Sequence, residues 1–177
     1  MKVWDHGVRW LHWTLVMAIS VAWLSTLGLG FVQLHEPAGY VALGAVTARL
    51  VWGFIGSHYA RLSQFVRGPS TTLHYARLLK RKQEPRYIGH NPLGGWMVVA
   101  LLACIAGAGF TGWLYTTDMF WGMAWLDQLH SFLAWTLLGL IALHLIGVIF
   151  TSLRHRENLV LAMITGHKAA PHGEDVV

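Results

Sequence analysis

Four long apolar runs separated by polar stretches organise this chain. They cover residues 10–32, 39–56, 93–115 and 129–153. Each approaches or exceeds the roughly 20 residues that cross a bilayer at a helical rise of about 1.5 Å. His12 is the only ionisable residue of the first run, and only Arg49 interrupts the second. The first run is longer than the apolar part of a secretory signal, and no A-x-A-like cleavage site follows it, so it reads as an uncleaved membrane helix. Backbone polar groups in lipid must be satisfied within the segment, so such runs fold as helices. The expected fold is an all-α integral membrane protein, a four-helix bundle over residues 1–166, with a disordered tail at 167–177.

A polar stretch, 57–92, joins the second and third runs and is too long for a tight loop. Apolar residues recur in it at helical spacing among basic ones, first Tyr59, Leu62 and Val66, then Tyr75, Leu78 and Leu79 after the Gly68-Pro69 break. This pattern has two readings, a pair of short helices lying on anionic lipid or a docking surface for a cytoplasmic partner.

Composition agrees with a membrane location. Of 177 residues, 55% are hydrophobic and 12% charged, against roughly a quarter charged in soluble domains. Mean hydropathy is +0.47. A soluble enzyme, a disordered chain and a disulfide-stapled domain are poor fits. The net charge of +5 suggests nucleic acid only until the charges are placed. Lys2 and Arg9 precede the first run, Arg61, Arg67, Arg77, Lys80, Arg81, Lys82 and Arg86 occupy the long loop, and Arg154, Arg156 and Lys168 follow the fourth run. The other two connections hold Glu36, Asp118 and Asp127 and no basic residue. Basic residues mark cytoplasmic loops, so both termini are expected in the cytoplasm and nucleic acid is not a partner. The single cysteine, Cys104, forms no internal disulfide, and the absence of C-x-x-C-H removes covalent haem attachment.

The 11 histidines sort by depth. His6, His58, His74, His90, His155, His167 and His172 fall in or beside the cytoplasmic segments and read as solvated or headgroup-level side chains. His12, His35, His130 and His144 lie in or at the ends of the spans, where ionisable groups are costly and by default functional. His130 and His144 are 14 residues apart, about 40° short of four full turns, so they share a face about 21 Å apart along the axis. Span one runs outward, which places His12 at the depth of His144. Span two runs inward, which places His35 at the depth of His130. Two pairs result: His12 with His144 on the inner side, His35 with His130 on the outer side.

Haem iron takes two axial histidines and buries its porphyrin in an apolar bundle core. Zinc needs three or four converging ligands, and each pair supplies two. Proton or metal pathways usually recruit acidic partners, and the four spans contain none. Two non-covalent, bis-histidine haems b are the expected cofactors; the alternatives are a haem-free proton or metal transporter and a set of merely hydrogen-bonded core histidines.

Arg49 lies 14 residues after His35, at the depth of the inner pair if the helix is continuous. It reads either as a partner for a haem propionate or as a side chain snorkelling to the headgroups. Arg9, beside Asp5 and His12, invites the same two readings. Gly107, Gly109, Gly112, Gly139 and Gly147 permit close helix approach or room for a flat macrocycle. Trp4, Trp10, Trp13, Trp52, Trp96, Trp113, Trp121 and Trp125 fall mostly near span ends and read as interfacial belts.

Trp4-Asp5 with Arg9-Trp10-Leu11-His12-Trp13, then His35, Gly39 and Arg49, then Gly89-His90-Asn91-Pro92-Leu93-Gly94-Gly95-Trp96, then His130 and His144 together resemble the bacterial cytochrome b561 family. The likeness runs from Val3 to Gly166, in the branch that includes b-type cytochrome subunits of nickel–iron hydrogenases. The resemblance implies a bacterial inner-membrane cytochrome with two haems b. Such a protein passes electrons between quinone (ubiquinone or menaquinone) and a redox partner, a c-type cytochrome, a hydrogenase or another periplasmic oxidoreductase. Some relatives oxidise superoxide, which stays open as an alternative. Arg9, Arg49, Trp13 and His90 are the candidate quinone neighbours. A complex or homodimer is expected on general grounds.

Overall fold

The computed structural model describes residues 1–173 and 175–176. Four of its helices are long and apolar enough to cross a membrane: α1 (His6–Ser25), α2 (His35–Ile55), α5 (Pro92–Tyr115) and α6 (Ala124–Arg154). Three shorter helices, α3 (Leu62–Phe65), α4 (Pro69–Lys80) and α7 (Leu159–Thr165), lie on the same side of the bundle as the start of α1.

Local chemistry sets the helix ends. Asp5 caps α1, its carboxylate accepting from the Val8 amide at 2.8 Å, and Asn91 caps α5 by accepting from Gly94 N at 2.7 Å. Pro92 follows at the first helical position, where a missing N–H costs nothing. The first apolar run is helical only to Ser25, because Gly28 and Gly30 turn the chain with φ of +73° and +80°. The second helix begins earlier than the apolar run, at His35, since Glu36 and Pro37 both suit a first turn. The fourth starts at Ala124 rather than 129 and runs unbroken for 31 residues.

α1 packs along α2, α2 on α5 and α5 on α6, while direct contact between α1 and α6 is slight. Near the outer end that contact includes Trp23 against Trp135, ring centroids 5.0 Å apart. All four spans contribute to one apolar core, with Leu15 and Ala18, Ala42 and Val46, Leu102 and Ile105, and Leu137 buried together.

A second core sits at the end of the bundle that carries both chain termini and the long basic loop. Val3, Trp4, Val8, Ala60, Ile88 and Ala162 are buried there. The long loop folds back on its own chain: Phe65 and Tyr75 are buried, and α4 forms over 69–80 as its spacing predicts. The segment after Gly166 departs from the disorder expected of it. Lys2 bridges His167 and Tyr87 bridges Val176, and Val3 N and Trp4 N donate to Gly166 O at 2.8 and 3.1 Å. Arg86 pairs with Glu157 at 2.8 Å and Asp175 at 2.5 Å. These charges are partly buried and complementary, which supplies the ordering that composition alone does not reveal. Glu174 and Val177 lie outside the described residues of that segment.

The tryptophans divide into two groups. Trp10, Trp121 and Trp125 are exposed, as a belt requires, but Trp4 is buried. Trp52 is half-buried, and its indole N–H donates to both carboxylate oxygens of Asp5 at 3.1 Å. That bond ties the inner end of α2 to the cap of α1.

Candidate functional site

At the outer end, His35 and His130 face each other across α2 and α6. Their ring centroids are 6.0 Å apart and the rings are inclined at 80°. His35 Nδ1 lies 2.9 Å from Ala22 O of α1, and His130 Nδ1 lies 3.0 Å from Ala108 O of α5. A carbonyl only accepts, so each Nδ1 carries the proton and each Nε2 is left with a free lone pair. Thr111, buried on α5, adds a hydroxyl 3.2 Å from the His130 Nδ1 and donates its own proton to Gly107 O or Ala108 O. Gly112 makes the approach possible, since a Cβ there would stand 3.1 Å from His130 Cε1. Gly107 and Gly109 serve helix packing in the same way, against Leu133 and Leu43.

At the inner end, His12 on α1 and His144 on α6 are both half-buried and within electrostatic reach of one another. Arg49 is 6% exposed, so the snorkelling alternative does not hold: its guanidinium is inside the protein. Nη2 donates to Ala60 O at 3.2 Å, while Nη1 is buried with no partner among the described residues. Arg9 Nη2 donates to Ile164 O at the C-terminal end of α7, where a cation also suits the helix dipole. Its Nε has no partner among the described residues.

His90 corrects the sequence reading. It is not a solvated side chain: its ring packs on Trp4 at 4.8 Å and Phe65 at 4.7 Å, and its Nδ1 is buried and unpartnered. Thr111 was missed altogether, because a lone threonine inside an apolar span carries no periodic signal.

Among the described residues, no three His, Cys, Asp or Glu side chains converge as a closed metal centre requires. The outer pair suits a single ion between two rings instead. Two imidazoles bonded to one iron at about 2 Å each would hold their centroids roughly 6 Å apart. Carbonyl acceptors behind both Nδ1 atoms are the usual outer support of metal-bound histidine. The free Nη1 of Arg49, without a partner among the described residues, suits a carboxylate, and haem carries two. The donor set therefore fits haem.

The profile of the prokaryotic cytochrome b561 family matches residues 3–166. The chain belongs to that family. It is thus a b-type cytochrome fold, a membrane-spanning helical bundle for electron transfer through haem b. Among curated relatives, a probable Ni/Fe-hydrogenase B-type cytochrome subunit of Azotobacter vinelandii is 24% identical, across 93% of this chain and 86% of its own length. The protein of the same description from Azotobacter chroococcum mcd 1 is 28% identical, across 89% and 81%. No solved structure matches this b561-family chain.

Proposed function

We propose that this b561-family chain binds two haems b, the inner one through His12 and His144 and the outer one through His35 and His130, and conducts electrons between membrane quinone and a redox partner at the outer face. When bound, each haem supplies a one-electron carrier. The chain's own residues orient and insulate it. Donation from Nδ1 to Ala22 O and Ala108 O fixes the ring planes and raises the basicity of the ligating nitrogen. The apolar core between the pairs excludes water. Arg49 and Arg9 are the propionate partners on the inner side, where their unpartnered N–H groups offer the matching charge.

The observation that carries this reading is the outer pair: two half-buried imidazoles at iron-bridging separation, each already committed through Nδ1. The inner pair follows from its equal depth and from the 14-residue interval on α6. Quinone, ubiquinone or menaquinone, is the carrier soluble in the phase that surrounds the bundle. The curated relatives are named as hydrogenase subunits, which supports a hydrogenase-like or c-type cytochrome partner. The short outer connections, acidic at Glu36, Asp118 and Asp127, would let such a partner approach the outer haem closely. We assign the chain to the bacterial inner membrane with both termini cytoplasmic, on the distribution of its basic residues.

The deciding experiment is a reduced-minus-oxidised visible spectrum of the purified protein with a pyridine haemochrome count. Two haems b per chain is the expected result. A folded, helical, colourless preparation would overturn the reading and favour a transporter built on the same histidines.

A further inference from the structure

His90 joins the basic loop to α5, outside both histidine pairs, yet it lies within electrostatic reach of His12, His144 and Arg49. Trp4 and Phe65 hold its ring from two sides. Lys168, Arg49, His144 and His12 act on it electrostatically. Burial first, then the Lys168 and Arg49 charges, push its pKa down to about 3, so the ring is neutral at physiological pH and one of its nitrogens carries a single proton. Among the described residues Nδ1 is buried without a partner, and so is Nη1 of Arg49. Buried polar atoms are seldom left unmet, and those that are call for an explanation. Lys168 already faces Glu157 at 3.6 Å and Arg49 lies within reach of Asp5, so it is the two unmet N–H groups that ask for the same thing, an oxygen acceptor.

We propose that His90 and Arg49 form a seat for one carboxylate of the inner haem, with His90 Nδ1–H and Arg49 Nη1–H both donating to it. The proposal rests on the two-haem reading and adds a positioning residue from outside the spans. It gives the cytoplasmic segment a direct hold on the cofactor. His90 follows Tyr87 and Ile88, which are bridged to Val176 and bonded through its carbonyl, and it packs on Trp4, whose amide is tied to Gly166. The N-terminal residues, the loop and the tail thus meet at one side chain that reaches the haem.

The test uses the full-length protein and three variants: His90→Phe, which keeps the aromatic packing and removes the donor, His90→Gln, which keeps an N–H, and His35→Ala, which on the two-haem reading isolates the inner haem. Haem is counted per chain, and midpoint potentials are taken by spectroelectrochemical titration. A carboxylate stripped of a donor favours the oxidised iron, so His90→Phe should lower the inner midpoint, or release the inner haem, and leave the outer haem unchanged. His90→Gln should recover most of the loss, and the effect of His90→Phe should persist in the His35→Ala background. Two haems with unaltered midpoints in His90→Phe, or an equal change in both haems, would overturn the seat while leaving the two-haem reading intact. A wild-type protein without haem would instead remove the reading on which the seat stands.

Discussion

His35 and His130 turn their rings edge to face, 6.0 Å between centroids, while each gives its Nδ1 proton to the backbone of a different helix. Four helices therefore meet at one pair of side chains: α2 and α6 supply the rings, and α1 and α5 supply the carbonyls that aim them. The first prediction follows from this division. His35→Ala or His130→Ala should lower the pyridine haemochrome count from two per chain to one, and His12→Ala or His144→Ala should remove the other haem. The double variant His35→Ala/His144→Ala should be colourless yet helical by circular dichroism. Retention of two haems in His144→Ala would disprove the pairing.

Gly112 is the contact point at which this arrangement is most easily spoiled. Alanine there would press its Cβ on the His130 ring, which is pinned behind by Ala108 O and Thr111, and overpacking of this kind costs about 1–3 kcal/mol. The expected outcome is partial loss of the outer haem with the inner haem retained, seen as a change in the haem-to-protein ratio. Full retention with an unaltered spectrum would show that the ring has room to yield.

The Asn91 cap predicts a smaller and more general effect. Asn91→Ala removes the acceptor for Gly94 N and should destabilise the protein by about 1 kcal/mol, measured by thermal unfolding in detergent. Asn91→Asp keeps the acceptor and should stay near wild type.

Much of this architecture is legible in the sequence, because it rests on lengths and periods. Spans are bounded by apolar runs, and two histidines 14 residues apart must share a face. Depth matching then brings His35 to His130 with no knowledge of packing. What the sequence hides is the aperiodic part. The burial of His90 depends on Trp4 and Phe65 arriving from distant segments, and the ordering of the tail depends on Arg86 finding Glu157 and Asp175. Arg49 illustrates the boundary: its depth can be read from spacing, but its burial depends on Ala60 closing over it from the loop.

Acidification should loosen the contact between the long loop and the end of α6. Arg154 Nε donates to Glu84 at 2.6 Å, and this bond holds the Glu84 carboxyl below its ordinary value of 4.5. A depressed carboxylate stabilises the fold above its unfolded value and loses that contribution as pH falls through the folded one. Thermal stability should thus be flat with pH above about 5 with respect to this pair and decline below. Glu84→Gln should be less stable at neutral pH and show a shallower acid decline. An identical slope in the variant would assign the decline to other carboxylates.

The proposed orientation can be checked with introduced thiols, because Cys104 is buried. In intact spheroplasts Asp118→Cys should react with a membrane-impermeant maleimide and Lys80→Cys should not. In inverted vesicles the order should reverse. Labelling of both from one side would contradict the topology.

The single continuous α6 contributes one ring to each pair. Any two centres held by His130 and His144 would therefore be spaced by the rise of one rod, about 21 Å between the two ligand positions, and not by how four helices happen to settle against each other. Electron tunnelling weakens steeply with distance, so the step most sensitive to geometry is tied to the part of the molecule least able to stretch. Amino-acid changes elsewhere in the bundle can alter how firmly each centre is held, or at what potential, while the gap to be crossed stays the same.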